Sequence, residues 1–124
     1  MANETILIID DNAVNLKLVK VLLMGEGYHI ETATTAEEAL KVLETFQPHL
    51  ILMDIQLPQM DGIELTRILK ANPKFKHIII LALTAYAMQG DREKILAAGC
   101  DGYVAKPIDI QTLPKMIAEY LKKA

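Results

Sequence analysis

The stretch LILMDIQLPQMDG, residues 50–62, decides the fold. Its first four residues, Leu50 to Met53, are apolar without alternation. Such a run reads as a strand covered on both faces, the pattern of a parallel sheet between two helical layers. Asp54 follows at once, with no local partner. A carboxylate at the end of a buried strand is costly unless something pairs with it. Asp61 and Glu64 then form an acidic version of a capping box, and Gly62 permits the turn into a helix.

The same reading extends outward in both directions. Strands are expected at Thr5–Ile9, His29–Ala33, Leu50–Met53, Ile78–Leu83 and Gly102–Ala105. Three are almost wholly apolar, whereas His29–Ala33 alternates and reads as an edge strand. Helical signals lie between them. Asn12 can cap a first helix with Val14, Leu18, Val21 and Leu22 as its apolar positions, stopped by Gly25 and Gly27. Thr35 and Glu38 match a capping box. The third helix must end before Pro73. A fourth runs from about Met88 to Ala98 and is closed by Gly99. A fifth starts near Asp109, with Pro114 disturbing its first turn. The result is five βα units, hence an α/β fold: a doubly wound, five-stranded parallel sheet of order 2-1-3-4-5 with five helices, flavodoxin-like.

The chain has 124 residues, which suits one domain, and carries a net charge of −3. No basic face is evident, which argues against direct nucleic-acid binding. Cys100 is the single cysteine, so no internal disulfide forms; its spacing-independent reading is a small buried hydrophobe. The N-terminus MANETILIIDD is not a signal peptide, and no apolar run reaches the ~20 residues of a membrane span. A cytoplasmic protein is expected. His29, His49 and His77 show no metal-ligand spacing.

Polar residues gather where the strands end. Asp10 and Asp11 follow the first strand, Asp54 the third, Thr84-Ala85 the fourth and Lys106-Pro107 the fifth. In an open α/β sheet, ligands bind beyond the carboxyl ends of the strands at the switch point, here between strands 1 and 3. That order gathers three carboxylates, a hydroxyl and an ammonium. Clustered carboxylates raise one another's pKa values, and a hard cation such as Mg²⁺ resolves the repulsion with oxygen ligands. A flavodoxin-type cofactor site does not fit, because the loop DDNAVN, residues 10–15, would repel a permanently anionic phosphate. A carboxylate nucleophile can form an aspartyl phosphate. Metal and lysine would neutralise phosphoryl oxygens, Thr84 would donate a hydrogen bond, and the small Ala85 would leave room for entry.

Four stretches, ILIIDDN, LILMDIQLPQMDG, LALTAYAM and GCDGYVAKPI, occur in order at strand ends. With them the chain resembles the receiver domains of two-component response regulators over essentially its whole length. Within that family the resemblance is greatest to single-domain receivers of the DivK type and to receivers of hybrid histidine kinases. It implies that Asp54 accepts a phosphoryl group from a kinase phosphohistidine. Asp10, Asp11, Asp54 and the backbone carbonyl of Gln56 would hold Mg²⁺, Asp10 largely through water. Lys106 would pair with the phosphoryl group, and the Lys106–Pro107 peptide would be cis. Thr84 would move toward the phosphate and Tyr103 would swing inward behind it. Gln56 and Tyr86 occupy positions that tune dephosphorylation.

The expected protein is therefore a single receiver domain, residues 1–124, with no output domain. Its partners would be a sensor histidine kinase or histidine phosphotransfer protein and a downstream protein at the helix 4–strand 5–helix 5 face, with neither nucleic acid nor membrane. It would be no enzyme beyond its own phosphorylation and dephosphorylation. Three other readings stay open: a receiver excised from a hybrid kinase, a phosphorylation-independent binding module, and a small-molecule phosphatase or phosphotransferase. The last lacks a second acid/base aspartate two residues after Asp54, where Gln56 stands, and the chain is too short for a substrate cap.

Overall fold

A computed structural model of the chain describes residues 4–57, 60–84 and 89–123. In chain order the elements are β1 (Thr5–Ile9), α1 (Ala13–Gly25), β2 (His29–Ala33), α2 (Ala36–Thr45), β3 (Leu50–Asp54), α3 (Gly62–Ala71), β4 (Ile79–Thr84), α4 (Gln89–Ala98), β5 (Gly102–Ala105) and α5 (Thr112–Lys123). All pairings are parallel and the sheet order is β2-β1-β3-β4-β5.

The unbroken apolar strands are explained by two cores, one on each face of the sheet. Leu7, Ile9, Ile51, Met53, Ile80 and Ala82 point to one face, under Ala39 and Leu43 of α2, Leu65 and Leu69 of α3 and Ile95 of α4. Ile6, Ile8, Leu50, Leu52, Leu81 and Leu83 point to the other, under Val19 and Leu23 of α1 and Leu113 and Ile117 of α5. Alternate residues face opposite layers, so both must be apolar. At an edge of the sheet, β2 keeps an exposed His29 and Glu31.

The helix starts follow their caps. Asn12 Oδ1 accepts the N–H groups of Val14 and Asn15. Thr35 Oγ1 accepts from Glu38, whose own carboxylate returns to the Thr34 N–H at 2.7 Å. Asp61 Oδ1 accepts from Glu64 N–H at 2.8 Å. Each satisfies an amide that the helix leaves unpaired. Gly27 (φ 94°) and Gly99 (φ 111°) end α1 and α4 in left-handed conformations. The following amides reach back to Leu23 and Ile95 carbonyls, closing Schellman-type ends.

Three details differ from the sequence expectation. β4 begins one residue later and takes in Thr84, and β3 takes in Asp54, because the ladder continues to the polar residues: Asp54 is opposite Leu83. α5 begins at Thr112 rather than near Asp109; Asp109 instead accepts the N–H groups of Gln111 and Thr112 ahead of it, and Pro114 fits within the first turn. The third concerns α1. Its buried residues are Val19 and Leu23, while Val14 (77% exposed), Leu18 (45%), Val21 (61%) and Met24 (53%) form an outward apolar stripe. A shallow cleft there is lined by Ala13, Val14, Lys17, Leu18 and Val21. Met88, the expected start of α4, lies outside the described residues.

Candidate functional site

Parallel register brings the strand ends to one edge. Ile9 pairs with Met53, so Asp10 and Asp54 emerge side by side from β1 and β3. Asp54 pairs with Leu83, which sets Thr84 one residue beyond on the neighbouring strand. Thr84 pairs in turn with Ala105, and the Lys106 N–H donates to the Thr84 carbonyl at 2.8 Å. Four strands from separate parts of the chain thus deliver Asp10, Asp54, Thr84 and Lys106 to one place.

Carboxylate oxygens of Asp10, Asp11 and Asp54 all lie within 4.8 Å of one another. Asp10 and Asp54 are buried and Asp11 is exposed, so the cluster opens to solvent on the Asp11 side. The Lys106 ammonium lies 3.2 Å from Asp54 Oδ2 and 3.9 Å from Asp10 Oδ2. Both are ion-pair contacts, the shorter at the outer limit of hydrogen-bond distance and the longer beyond it. Two oxygens are held by backbone: Asp10 Oδ1 accepts the Asn12 N–H at 2.8 Å and Asp54 Oδ1 accepts the Gln56 N–H at 3.0 Å. Among the described residues, Asp10 Oδ2 is the one buried side-chain oxygen with no hydrogen-bond partner.

That oxygen sets the electrostatics. Burial pushes the Asp10 carboxyl up from 3.8 to about 6, with the Asn12 N–H and Lys106 pulling it down and Asp54 pushing it up. A buried acceptor without a donor loses its hydration with nothing in return. An oxygen-rich, anionic corner of this kind has the donor set that a hard divalent cation takes. The residues present therefore fit Mg²⁺.

The start of α3 is pressed against the Asp54 backbone. A Cβ on Gly62 would meet the Asp54 carbonyl oxygen at 2.5 Å and Ile55 Cα at 2.7 Å, so no side chain fits there. The Gly62 N–H donates to the Ile55 carbonyl at 3.0 Å, fixing the loop that follows Asp54. Sequence alone reads Gly62 as a turn residue; its closeness to Asp54 needs the packed structure.

Of the remaining candidates, Thr84 is buried and Tyr103 is half-buried beneath the Arg92 guanidinium, whose Cζ is 5.5 Å from the ring centroid. The Lys106–Pro107 peptide is cis. Gln56 is exposed beside the cluster. Ala85 and Tyr86 lie outside the described residues. Cys100 is buried, with its thiol pushed up by that burial and 3.6 Å from the Thr66 hydroxyl, as a small core residue. Among the described residues no helix is long and apolar enough to cross a membrane.

Comparison with known proteins agrees with this geometry. The family model described as "Response regulator receiver domain" matches residues 6–118. The polar-differentiation response regulator DivK of Brucella ovis is 40% identical over 121 residues, covering 98% of each chain. The receiver domain of the sensor histidine kinase PA1611 from Pseudomonas aeruginosa superposes with a TM-score of 0.88 at 34% identity, covering 97% of this chain and 98% of that one. That structure has a magnesium ion coordinated in its active-site cleft. A CheY-like receiver domain from Methanospirillum hungatei gives a TM-score of 0.88 at 36% identity, covering 98% and 95%. With its residues 6–118 matching the family model and a relative 40% identical over nearly its whole length, the chain belongs to the response regulator receiver domain family.

Proposed function

We propose that this protein is a single-domain response regulator, residues 1–124 forming its one receiver domain. Asp54 accepts a phosphoryl group from the phosphohistidine of a sensor histidine kinase or a histidine phosphotransfer protein. The single observation that carries this reading is the Lys106 ammonium 3.2 Å from Asp54 Oδ2, beside a buried Asp10 oxygen that has no donor. Lys106 offsets the buried Asp54 charge, but the unsatisfied Asp10 oxygen beside it serves no packing end, and phosphoryl transfer calls for positive charge at the transferring oxygens.

In the transfer, an Asp54 carboxylate oxygen forms the new P–O bond. The P–N bond of the phosphohistidine breaks and its electron pair returns to the imidazole. Lys106 turns from Asp54 to the phosphoryl oxygens, and the Thr84 hydroxyl donates to another of them. The small side chain of Ala85 would leave room for entry. Asp10, Asp11, Asp54 and the Gln56 backbone carbonyl would hold Mg²⁺, which supplies fixed positive charge to the phosphoryl oxygens. Asn12 N–H and Gln56 N–H keep the two buried carboxylates aimed while this happens.

Phosphorylation then biases two arrangements of the β4–β5 edge. The phosphoryl group draws Thr84 inward, Tyr103 follows, and the face of α4, β5 and α5 changes for a downstream protein. The phosphodonor must approach over the exposed Asp11. The apolar stripe of α1 starts two residues from there, at Ala13 and Val14, and offers it a surface to lean on.

The test is incubation with Mg²⁺ and a small phosphodonor, followed by intact mass and ³¹P NMR, with Asp54→Ala in parallel. The expected result is one phosphoryl adduct that needs Mg²⁺ and is absent in the variant. With Mg²⁺ binding confirmed, no adduct from any donor would overturn the reading and leave a phosphorylation-independent binding module.

A further inference from the structure

The contact between Arg92 and Tyr103 ties α4 to the strand that carries Lys106. Arg92 and Ile95 are three residues apart and share one face of α4. Ile95 is fully buried in the core, and the guanidinium lies over the Tyr103 ring with Cζ 5.5 Å from its centroid. Among the described side chains of α4, the buried ones are Ile95 and Ala98, both in its C-terminal half. The C-terminal end is also fastened through Gly99 and Cys100 to the Leu96 and Ile95 carbonyls. The contact with Tyr103 reaches β5 one helical turn nearer the N-terminus.

Tyr103 is in turn mechanically close to the site. It pairs with Ala82, two residues before Thr84, and sits three residues before Lys106, whose N–H is bonded to the Thr84 carbonyl. In the function proposed above Tyr103 follows Thr84 inward, a movement that would draw the ring out from under the guanidinium. A guanidinium over an aromatic face is attractive even where, as here, the arginine is exposed and the ring half-buried.

We infer that Arg92 is a positioning residue: its guanidinium latches Tyr103 in the resting arrangement and opposes the shift to the phosphoryl-bound one. This rests on the function proposed above. The latch makes the resting state a little deeper without touching the reacting atoms. Its loss should ease occupation of the site by a phosphoryl mimic about two- to five-fold, the equivalent of about 0.4–1 kcal/mol at ~1.4 kcal/mol per tenfold.

The experiment measures beryllofluoride affinity with Mg²⁺ by ¹⁹F NMR, together with the Tyr103 ring resonances, assigned through Tyr103→Phe. Arg92→Ala should bind about two- to five-fold tighter and shift those resonances, while Arg92→Lys, which keeps a cation, should remain near the parent protein. In a Tyr103→Leu background Arg92→Ala should change nothing, since a double-mutant cycle isolates the pair. Unchanged affinity in Arg92→Ala, or the same change with Tyr103 replaced, would overturn the latch. A parent protein that takes no beryllofluoride would overturn the phosphoacceptor reading instead. The ring resonances then decide the latch alone: unmoved by Arg92→Ala they refute it, and moved with recovery in Arg92→Lys they support it.

Discussion

The two edges of the sheet use similar residues in opposite ways. At the amino edge the polar groups close on one another. The Thr5 N–H donates to His49 Nδ1 at 3.1 Å, and the Thr5 hydroxyl reaches the Gln47 carbonyl at 3.2 Å. The Lys70 ammonium spans the Ile78 carbonyl (2.7 Å), the Lys76 carbonyl (3.2 Å) and Asp101 Oδ2 (3.2 Å). That same Asp101 oxygen accepts the Ile80 N–H at 2.8 Å. At the carboxyl edge a lysine again meets aspartates, yet Asp10 Oδ2 is left with no donor. A lysine–aspartate pair is therefore no mark of a site. The mark is a buried acceptor that the protein itself does not satisfy.

Three substitutions test this contrast, and the largest effect falls on the functional edge. Gly62→Ala forces a methyl group onto the Asp54 backbone, which can yield only by moving Asp54 or the start of α3. A loss of about 3 kcal/mol in urea unfolding is expected from such overpacking. A change too small to resolve would mean that α3 slides freely away from Asp54. Lys70→Met keeps the side-chain stem packed over Gly99 and deletes the ammonium. It removes the ammonium from the Ile78 carbonyl and leaves Asp101 with the Ile80 N–H, so about 2 kcal/mol should be lost. Phosphoryl uptake at the far edge should survive; its disappearance would show that the two edges are not independent.

Asp10→Asn should do the reverse and stabilise. In the folded protein this carboxyl titrates near 6 rather than 3.8. Between those values the folded state binds more protons than the unfolded one, so stability falls as pH rises through that window. The penalty is complete above about pH 6 and absent below the unfolded pKa. In metal-free buffer at neutral pH the variant should therefore be more stable by about 1–2 kcal/mol, a gain that fades on acidification. Unfolding curves with a chelator at acidic and neutral pH check the sign. A gain equal at both would contradict it, and added Mg²⁺ should favour the parent protein.

Much of this was legible in the chain because it depends on short-range signals. The apolar runs of β1, β3 and β4, the caps at Asn12, Thr35 and Asp61, and the stop at Gly99 are local patterns; all are present, with β3 and β4 differing from the expectation only at their ends. The gathering of Asp10, Asp54, Thr84 and Lys106 followed from one further premise, the strand order. What was not legible depends on contacts between distant residues. Lys70 and Asp101 are 31 residues apart, and nothing in either neighbourhood announces the other. The histidines read as scattered, yet His29 opens β2, His49 directly precedes β3 and His77 comes shortly before β4. They share the amino edge because parallel strands all start on one side. The outward turn of Val14, Leu18 and Val21 was hidden because α1 is apolar on both faces, so periodicity alone does not say which one is buried.

That outward stripe has a colloidal consequence. A contiguous apolar surface facing water invites contact between copies, and the opposing force is the mutual repulsion of like-charged molecules. Here the net charge is only −3 at pH 7 and vanishes near the isoelectric point of about 5.6. Lys17, set within the stripe, places a local charge where the surface is most apolar. Self-association of the free protein should therefore rise as the pH falls toward 5.6, and a partner covering α1 would suppress it.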